Sequence, residues 1–375
     1  MRFRHRFGSR LSGWLLAALA VAAIVPSMAG ASMFVEKIPG IENARLTGVS
    51  CTAWNECTAV GYRGGSTLAV RWNGSTWSTQ TTPNVGIYSS KLYGVSCPTS
   101  TFCVAVGNWY VEKEPNPLVE VWKGAKWEVP ETYLLGRSWT ELKGVSCRSN
   151  IDCIAAGSTG TGKAKRAVLY TWLGSGSHWL DERVGPEEVT SSLNGISCSP
   201  VGECSAVGSL GNTLSEVLAV TGTWGPWHTG TVPVPEERLI DPLQGVTCWT
   251  NKCQAVGATG LGKYAPLNES WNGSEWSQVS NPANGFLYGV SCVAEPTREH
   301  PCFAVGIEGT KPLVERQDAF GWGVDEAATP EGSTKATLLG VSHVSSGSEW
   351  GEWGVAVGYY LNSEGHEIPF AEAGT

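Results

Sequence analysis

The sequence predicts an all-β protein: a seven-bladed β-propeller of four-stranded blades, the last blade closed by the N-terminal strand. Three observations lead there. Leu46-Thr47-Gly48-Val49-Ser50-Cys51 returns as Leu92 to Cys97, Leu142 to Cys147, Leu193 to Cys198, Leu243 to Cys248 and Leu287 to Cys292, and a seventh time as Leu338 to His343. A second phrase, Cys57-Thr58-Ala59-Val60-Gly61, follows each copy and ends as Gly354-Val355-Ala356-Val357-Gly358. Successive copies lie 46, 50, 51, 50, 44 and 51 residues apart, a period that four short strands and their turns fill.

Each unit reads as four β-prone runs. The first phrase is the first strand and the second phrase the second. A third run ends at a tryptophan (Leu68 to Trp72) and a fourth starts at another (Trp77 to Thr81). Asn73-Gly74 and Asn272-Gly273 between such tryptophans predict tight turns, because both residue types tolerate positive φ. Outside the first 31 residues no stretch has a helical period. The ends then require closure. Met33 to Pro39 resembles a fourth strand without a unit of its own, while the seventh unit offers only one run, Glu367 to Ala371, after its second phrase. The N-terminal run is expected to complete that blade, which removes exposed sheet edges. An open solenoid, the competing architecture, would strand it.

The twelve cysteines fall as six close pairs: Cys51 with Cys57, Cys97 with Cys103, Cys147 with Cys153, Cys198 with Cys204, Cys248 with Cys253 and Cys292 with Cys302. In the seventh unit both slots are vacated together, to His343 and Gly354, as a disulfide requires and independent thiols would not. The competing reading is metal binding, but no further Cys or His recurs to complete a four-ligand set. Six disulfides, each closing the hairpin between first and second strands, are the favoured reading, with no metal site.

Residues 1–31 have the form of an export signal, and 32–375 that of a single propeller domain. Arg2, Arg4, His5, Arg6 and Arg10 precede an apolar run from Leu15 to Val25, and small residues around Ala29 and Ala31 offer cleavage sites. Retention as a membrane anchor is the alternative, though the run is short for a span. A secreted, extracellular protein with no membrane association after cleavage is expected. Removing that segment takes the formal charge from −8 to −12, a balance that excludes nucleic acid as partner. No phosphate loop, dinucleotide fingerprint or Gly-x-Ser-x-Gly elbow occurs, so no cofactor is expected.

The tryptophan turn resembles the Asp-box (BNR) hairpin of sialidase-like propellers, Ser-x-Asp-x-Gly-x-x-Trp. Gly74 and Trp77, or Gly273 and Trp276, match its Gly and Trp, while Asn73 and Asn272 stand where its Asp would be. The Gly-Val-Ser-Cys and Cys-x-Ala-Val-Gly phrases are similar to exported actinobacterial repeat proteins. These resemblances cover residues 33–375 and imply fold. Sialidase activity would require an arginine triad, a Tyr-Glu pair and an Asp acid. Arg45, Arg137 and Arg238 precede the first strands of alternate units, with Glu236, Glu237 and Asp241 as candidate carboxylates, but the Phe/Tyr-Arg-Ile-Pro motif is missing.

In a propeller the loops joining strands two and three, and those entering each new blade, share the face opposite the disulfide hairpins. Those are the variable segments here, and variable loops on a repeated scaffold carry recognition. Tyr62, Arg63, Trp109, Tyr110, Arg137, Trp139, Arg238, Tyr264 and Tyr359 are the candidate binding residues, aromatics and arginines suited to a glycan or protein partner. The expectation is a non-catalytic, monomeric binding propeller, with a sialidase-like glycoside hydrolase or lyase as the alternative.

Overall fold

A computed structural model describes residues 34–85, 88–130, 139–173, 179–211, 216–222, 226–233, 240–260, 264–293, 301–348 and 351–374. The expected export segment lies outside them. The described residues form seven antiparallel sheets of four strands. Blade 1 comprises strands Ala44–Ala53, Glu56–Arg63, Ser66–Trp72 and Trp77–Gln80, ordered from first to fourth. The first strands of blades 2 to 6 start at Ser89, Thr140, Ser191, Ile240 and Phe286. Blade 7 takes Lys335–Ser348, Gly351–Leu361 and Glu367–Gly374 from the C-terminus, and Phe34–Lys37 pairs antiparallel with the last of these, Lys37 opposite Phe370. Each first strand contacts the first strands of its two neighbouring blades, and that of blade 7 returns to that of blade 1, so the ring is closed.

The first phrase explains itself at the axis. Its leucine, from Leu46 to Leu338, is fully buried in all seven blades, worth about 2 kcal/mol per side chain. Its glycine meets the next blade's backbone. A Cβ on Gly48 would lie 2.9 Å from the Tyr93 carbonyl, and the chain of contacts runs through Gly94, Gly144, Gly195, Gly245 and Gly289 to Gly340, which meets Gly48. Its serine accepts the backbone N–H of the sixth residue in the following blade. Cys97 N–H donates to Ser50 Oγ at 3.0 Å, Cys147 to Ser96 at 2.9 Å, Cys198 to Ser146 at 3.0 Å and Cys248 to Ser197 at 3.0 Å. Cys292 to Thr247 at 3.2 Å, His343 to Ser291 at 3.0 Å and Cys51 to Ser342 at 2.9 Å complete seven bonds around the ring.

The second phrase ends in glycine because the first strand bulges opposite it. In blade 1 Leu46 pairs with Gly61 and Gly48 with Val60, leaving Thr47 as the extra residue. The bulge presses the Arg45 carbonyl toward Gly61, where a Cβ would overlap it, and the same approach recurs at Gly107, Gly157, Gly208, Gly306 and Gly358.

The six expected disulfides are formed, each within one blade. Cys51 bonds to Cys57, Cys97 to Cys103 and Cys147 to Cys153. Cys198 bonds to Cys204, Cys248 to Cys253 and Cys292 to Cys302. The second partners, Cys57, Cys103, Cys153, Cys204, Cys253 and Cys302, are all buried, so the bridges sit in the packed part of each sheet. In blade 7 the His343 ring meets Phe303 edge-on at 4.9 Å, filling the place the bridge leaves.

The tryptophans pair across the third and fourth strands, Trp72 with Trp77 at 5.6 Å and Trp271 with Trp276 at 5.6 Å, all buried. The turn between them differs from the expected pair of positive-φ residues. Only Gly74 (+93°) and Gly273 (+102°) are left-handed. Asn73 instead turns its Oδ1 to accept the N–H groups of Ser75 (3.0 Å) and Thr76 (2.9 Å), as Asn272 does for Ser274 and Glu275. Four loop residues leave room for this side-chain cap, so the backbone need not strain at the asparagine.

Four third strands carry a glutamate opposite the alanine of the second phrase. Glu120, Glu269, Glu315 and Glu372 pair with Ala105, Ala255, Ala304 and Ala356, and all four are fully buried. Burial pushes their carboxyls up to about 8 for Glu120, Glu269 and Glu372 and about 7 for Glu315, where the Asn281 amide opposes the shift. Below pH 7 the folded state therefore favours the neutral acid at these positions.

Two outcomes are expected. Gly157→Ala, whose methyl would collide with the Glu141 carbonyl, should cost about 3 kcal/mol or more in denaturant unfolding. The buried glutamates bind more protons folded than unfolded, so stability is fullest below about pH 4.5 and falls as pH climbs through 7 to 8. Melting curves should shift down across that window, and Glu269→Gln should raise the alkaline melting point while leaving the acid one unchanged. A melting point that rises with pH there would contradict the assignment.

Candidate functional site

The loops that were expected to share a face do so, and they interlock. In blades 1, 3, 5 and 6 the turn after the second strand bonds to the start of the next blade: Ser90 N–H donates to Gly65 O (2.8 Å), Ser191 to Lys165 O (3.2 Å), Gly285 to Tyr264 O (3.0 Å) and Ala336 to Thr310 O (2.9 Å). Backbone bonds thus tie these neighbouring blades at the rim, whose chemistry comes from positions flanking the constant Leu and Gly. Those positions pair across each sheet as Arg45 with Tyr62, Lys91 with Asn108, Glu141 with Ser158, Ser192 with Ser209, Phe286 with Ile307 and Thr337 with Tyr359.

Blades 7, 1, 2 and 3 set cations on tyrosine rings across their seams. The Arg45 guanidinium lies 4.1 Å from the Tyr359 ring centre, Lys91 Nζ 4.6 Å from that of Tyr62 and Lys143 Nζ 4.1 Å from that of Tyr93. Each such contact is worth about 0.5–1 kcal/mol where exposed. Arg45 Nε also donates to Glu367 Oε2 at 2.7 Å, with Nη2 on the other oxygen, and this fork holds the Glu367 carboxyl below its usual range. Lys165 pairs with Glu141 at 3.3 Å. Burial pushes the phenols of Tyr62, Tyr93 and Tyr110 up, so all three are neutral, and Tyr93 and Tyr110 are hydrogen-bonded to each other.

Across the rim, Tyr264 (42 % exposed) stands edge-on to Phe286 at 5.8 Å, and Phe286 stacks on Tyr288 at 4.6 Å. Ser192 and Ser209 share a 2.8 Å hydroxyl contact. Two adjoining clefts of about 460 and 440 Å3 open on the same face and share Ile41 and Glu42. Pro39, Pro330 and Tyr360 line the first, Arg63 the second.

Trp139, with Asn43 and Glu112, is one of three non-glycine residues with a left-handed backbone among the described residues. Its φ is +61°, its side chain is 37 % exposed, and its carbonyl accepts Gly160 N–H at 2.9 Å. The same place in blade 1 holds Asn43, also left-handed (φ +54°) and accepting Gly64 N–H at 3.1 Å. Asparagine tolerates that conformation, whereas a bulky residue pays about 1 kcal/mol for it. Asn108 donates its amide to the Thr140 carbonyl at 3.1 Å, pinning the residue next to Trp139 to the second strand of blade 2, which carries Tyr110.

The structure thus brings Tyr62, Tyr110, Trp139 and Tyr359 to the seams of one rim sector, with Arg63 in the adjoining cleft and Tyr264 opposite. Trp109 packs half-buried against the core cluster that contains Val60, Ala69 and Leu92, so its indole serves the packing between blades 1 and 2. Arg137, Arg238, Glu236 and Glu237, and the side chain of Asp241, lie outside the described residues. The sequence reading missed Tyr93, Lys143, Glu141, Phe286, Tyr288 and Glu367. A signal for three of them existed: the variable residue of Leu-x-Gly is the bulge residue, and Tyr93, Lys143 and Tyr288 occupy it.

No protein-family model matches the chain, and no curated protein matches it. Solved structures share its fold. YCF48 bound to D1 peptide is 15 % identical, with 92 % of this chain and 97 % of that one covered and a TM-score of 0.56. A polysaccharide lyase, an ulvan lyase bound to GlcA(1-4)Rha3S, is 9 % identical over 90 % and 93 % of the chains, TM-score 0.54. A protein of unknown function from Dyadobacter fermentans is 9 % identical over 92 % and 99 %, TM-score 0.54. At such identities the likeness defines the class, an all-β seven-bladed propeller, and nothing finer.

Trp139→Asn should keep or raise stability by about 0.5–1 kcal/mol in urea unfolding, because it relieves the positive φ. A loss above about 1 kcal/mol would mean the indole is there for packing rather than for its exposed surface.

Proposed function

We propose that this protein is an exported, non-catalytic propeller that binds a carbohydrate polymer through the loop face. Trp139 carries the reading. An aromatic ring offered to solvent by a strained backbone, one seam from Tyr110, is a feature that packing does not require. Flat aromatic faces with neutral phenol and serine hydroxyls around them match sugar rings, which present C–H faces and hydroxyl edges. A rim locked by backbone hydrogen bonds also loses little freedom on binding. Six disulfides suit an oxidising, extracytoplasmic compartment. Among the structural neighbours, one is solved with a peptide bound and one with a sugar, so the architecture accommodates either.

The hydrolase alternative has less support. The rim carboxylates Glu367 and Glu141 are each engaged by a cation, and Arg45 holds Glu367 ionised, so Glu367 is not poised as a proton donor.

A glycan array probed with the oxidised protein tests the proposal. Retention on one class of polysaccharide is expected, weakened about tenfold in Trp139→Asn with folding intact. Blank arrays, together with capture of a peptide ligand, would replace it with a protein-binding role.

A further inference from the structure

The cations of the rim do not balance. Arg45 is committed to Glu367 and Lys165 to Glu141. Lys91 and Lys143 rest on tyrosine rings, and among the described residues neither ammonium is within ion-pair distance of a carboxylate, though Lys91 is near enough to Glu367 and Lys143 to Glu141 to feel their charge. Lys143 occupies the bulge position of blade 3, half-buried, and feels Glu141, Lys165 and Lys91 together. Burial first, then repulsion from the two lysines, holds its amine below the ordinary lysine value. A tyrosine face supports a cation from one side without neutralising it. Tyr93 and Tyr110 are hydrogen-bonded to each other, which sets a second phenol hydroxyl beside the ring that carries Lys143. An acidic chain of net charge −8 therefore concentrates uncompensated positive charge beside a pair of phenol hydroxyls in one seam sector.

Resting on the glycan-binding reading, we infer that the polymer is anionic, and that Lys91, Lys143 and the Tyr110 hydroxyl seat one of its carboxylate or sulfate groups. The exposed aromatic groups, Trp139 at the same seam and Tyr264 across the rim, then meet flanking sugar rings. Aromatic surface beside the anion seat favours a sugar acid over an acidic peptide, which would ask for charge alone. Because the protein as a whole repels polyanions, retention by one requires a localised seat of this kind.

Affinity electrophoresis of the full oxidised protein through gels containing polygalacturonate, alginate, dextran sulfate, carrageenan, neutral xylan, laminarin or poly-glutamate tests this. Retardation by at least one acidic polysaccharide is expected, lost progressively with added salt. Lys91→Gln/Lys143→Gln should weaken it at least tenfold, and Lys143→Arg should restore most of it, separating loss of charge from loss of fold. The galacturonate and alginate lanes against the two sulfated polymers tell carboxylate from sulfate. Retention by neutral polymers alone would overturn the anionic seat while leaving glycan binding in place. Equal retention by poly-glutamate, or acidic retention unchanged in the double variant, would overturn the seat as drawn. No retention in any polysaccharide lane would remove both.

Discussion

At the axis, a backbone N–H of each blade meets a serine or threonine hydroxyl of the blade before it, and seven such bonds close on themselves. Each contributes about 1 kcal/mol, less than one buried leucine. Their importance lies in geometry. The hydroxyl reaches the amide only where two backbones approach closely, and that approach is possible only because glycine faces glycine two residues before the hydroxyl. The constraint passes outward: close inner strands bulge, the bulge forces glycine on the second strand, and the alternating buried residues of both strands then fill the seams. Serine and glycine in one phrase are two halves of a single requirement.

Stability and recognition use different parts of the same repeat. The face bearing the disulfide hairpins is held covalently within blades and by the hydroxyl ring between them. The opposite face is held by loop carbonyls bonded to the next blade's first strand, which leaves the side chains of those loops unconstrained in type. Variation is tolerated there because backbone, not side chain, makes the lock. The outcome is a rim whose character changes around the ring, with cations on tyrosines over blades 7 to 3 and bare aromatics over blades 5 and 6. Four buried glutamates, their carboxyls raised by burial, add a third property, a contribution to stability that is fullest in acid.

Much of the fold could be read from one dimension. The spacing of the phrases counted the blades, the paired loss at His343 and Gly354 announced the disulfides, and the stray run before Pro39 identified the closing strand. The rim was legible in part. Tyr62, Tyr110, Trp139, Tyr264 and Tyr359 stood out as aromatics in variable loops, whereas Lys143 and Tyr93 hid inside the repeated phrase as a variable letter. Trp109 looked like its neighbour Tyr110 but faces the other way, since adjacent strand residues point to opposite sides of a sheet.

Repetition is a local signal, and local signals accumulate along a chain until number, order and covalent pairing of the blades are set. The joining of Phe34–Lys37 to the last sheet follows from the same count. Which side chains meet across a seam is a different kind of fact. Arg45 and Glu367 stand 322 positions apart, and Lys143 lies a full repeat from the ring that supports it. Their contacts depend on the bulge, the twist and the closure acting together, and a tryptophan at positive φ gives no mark in its letter. Composition and period therefore specify the scaffold, while the charge and shape of the binding rim exist only once the ring has closed.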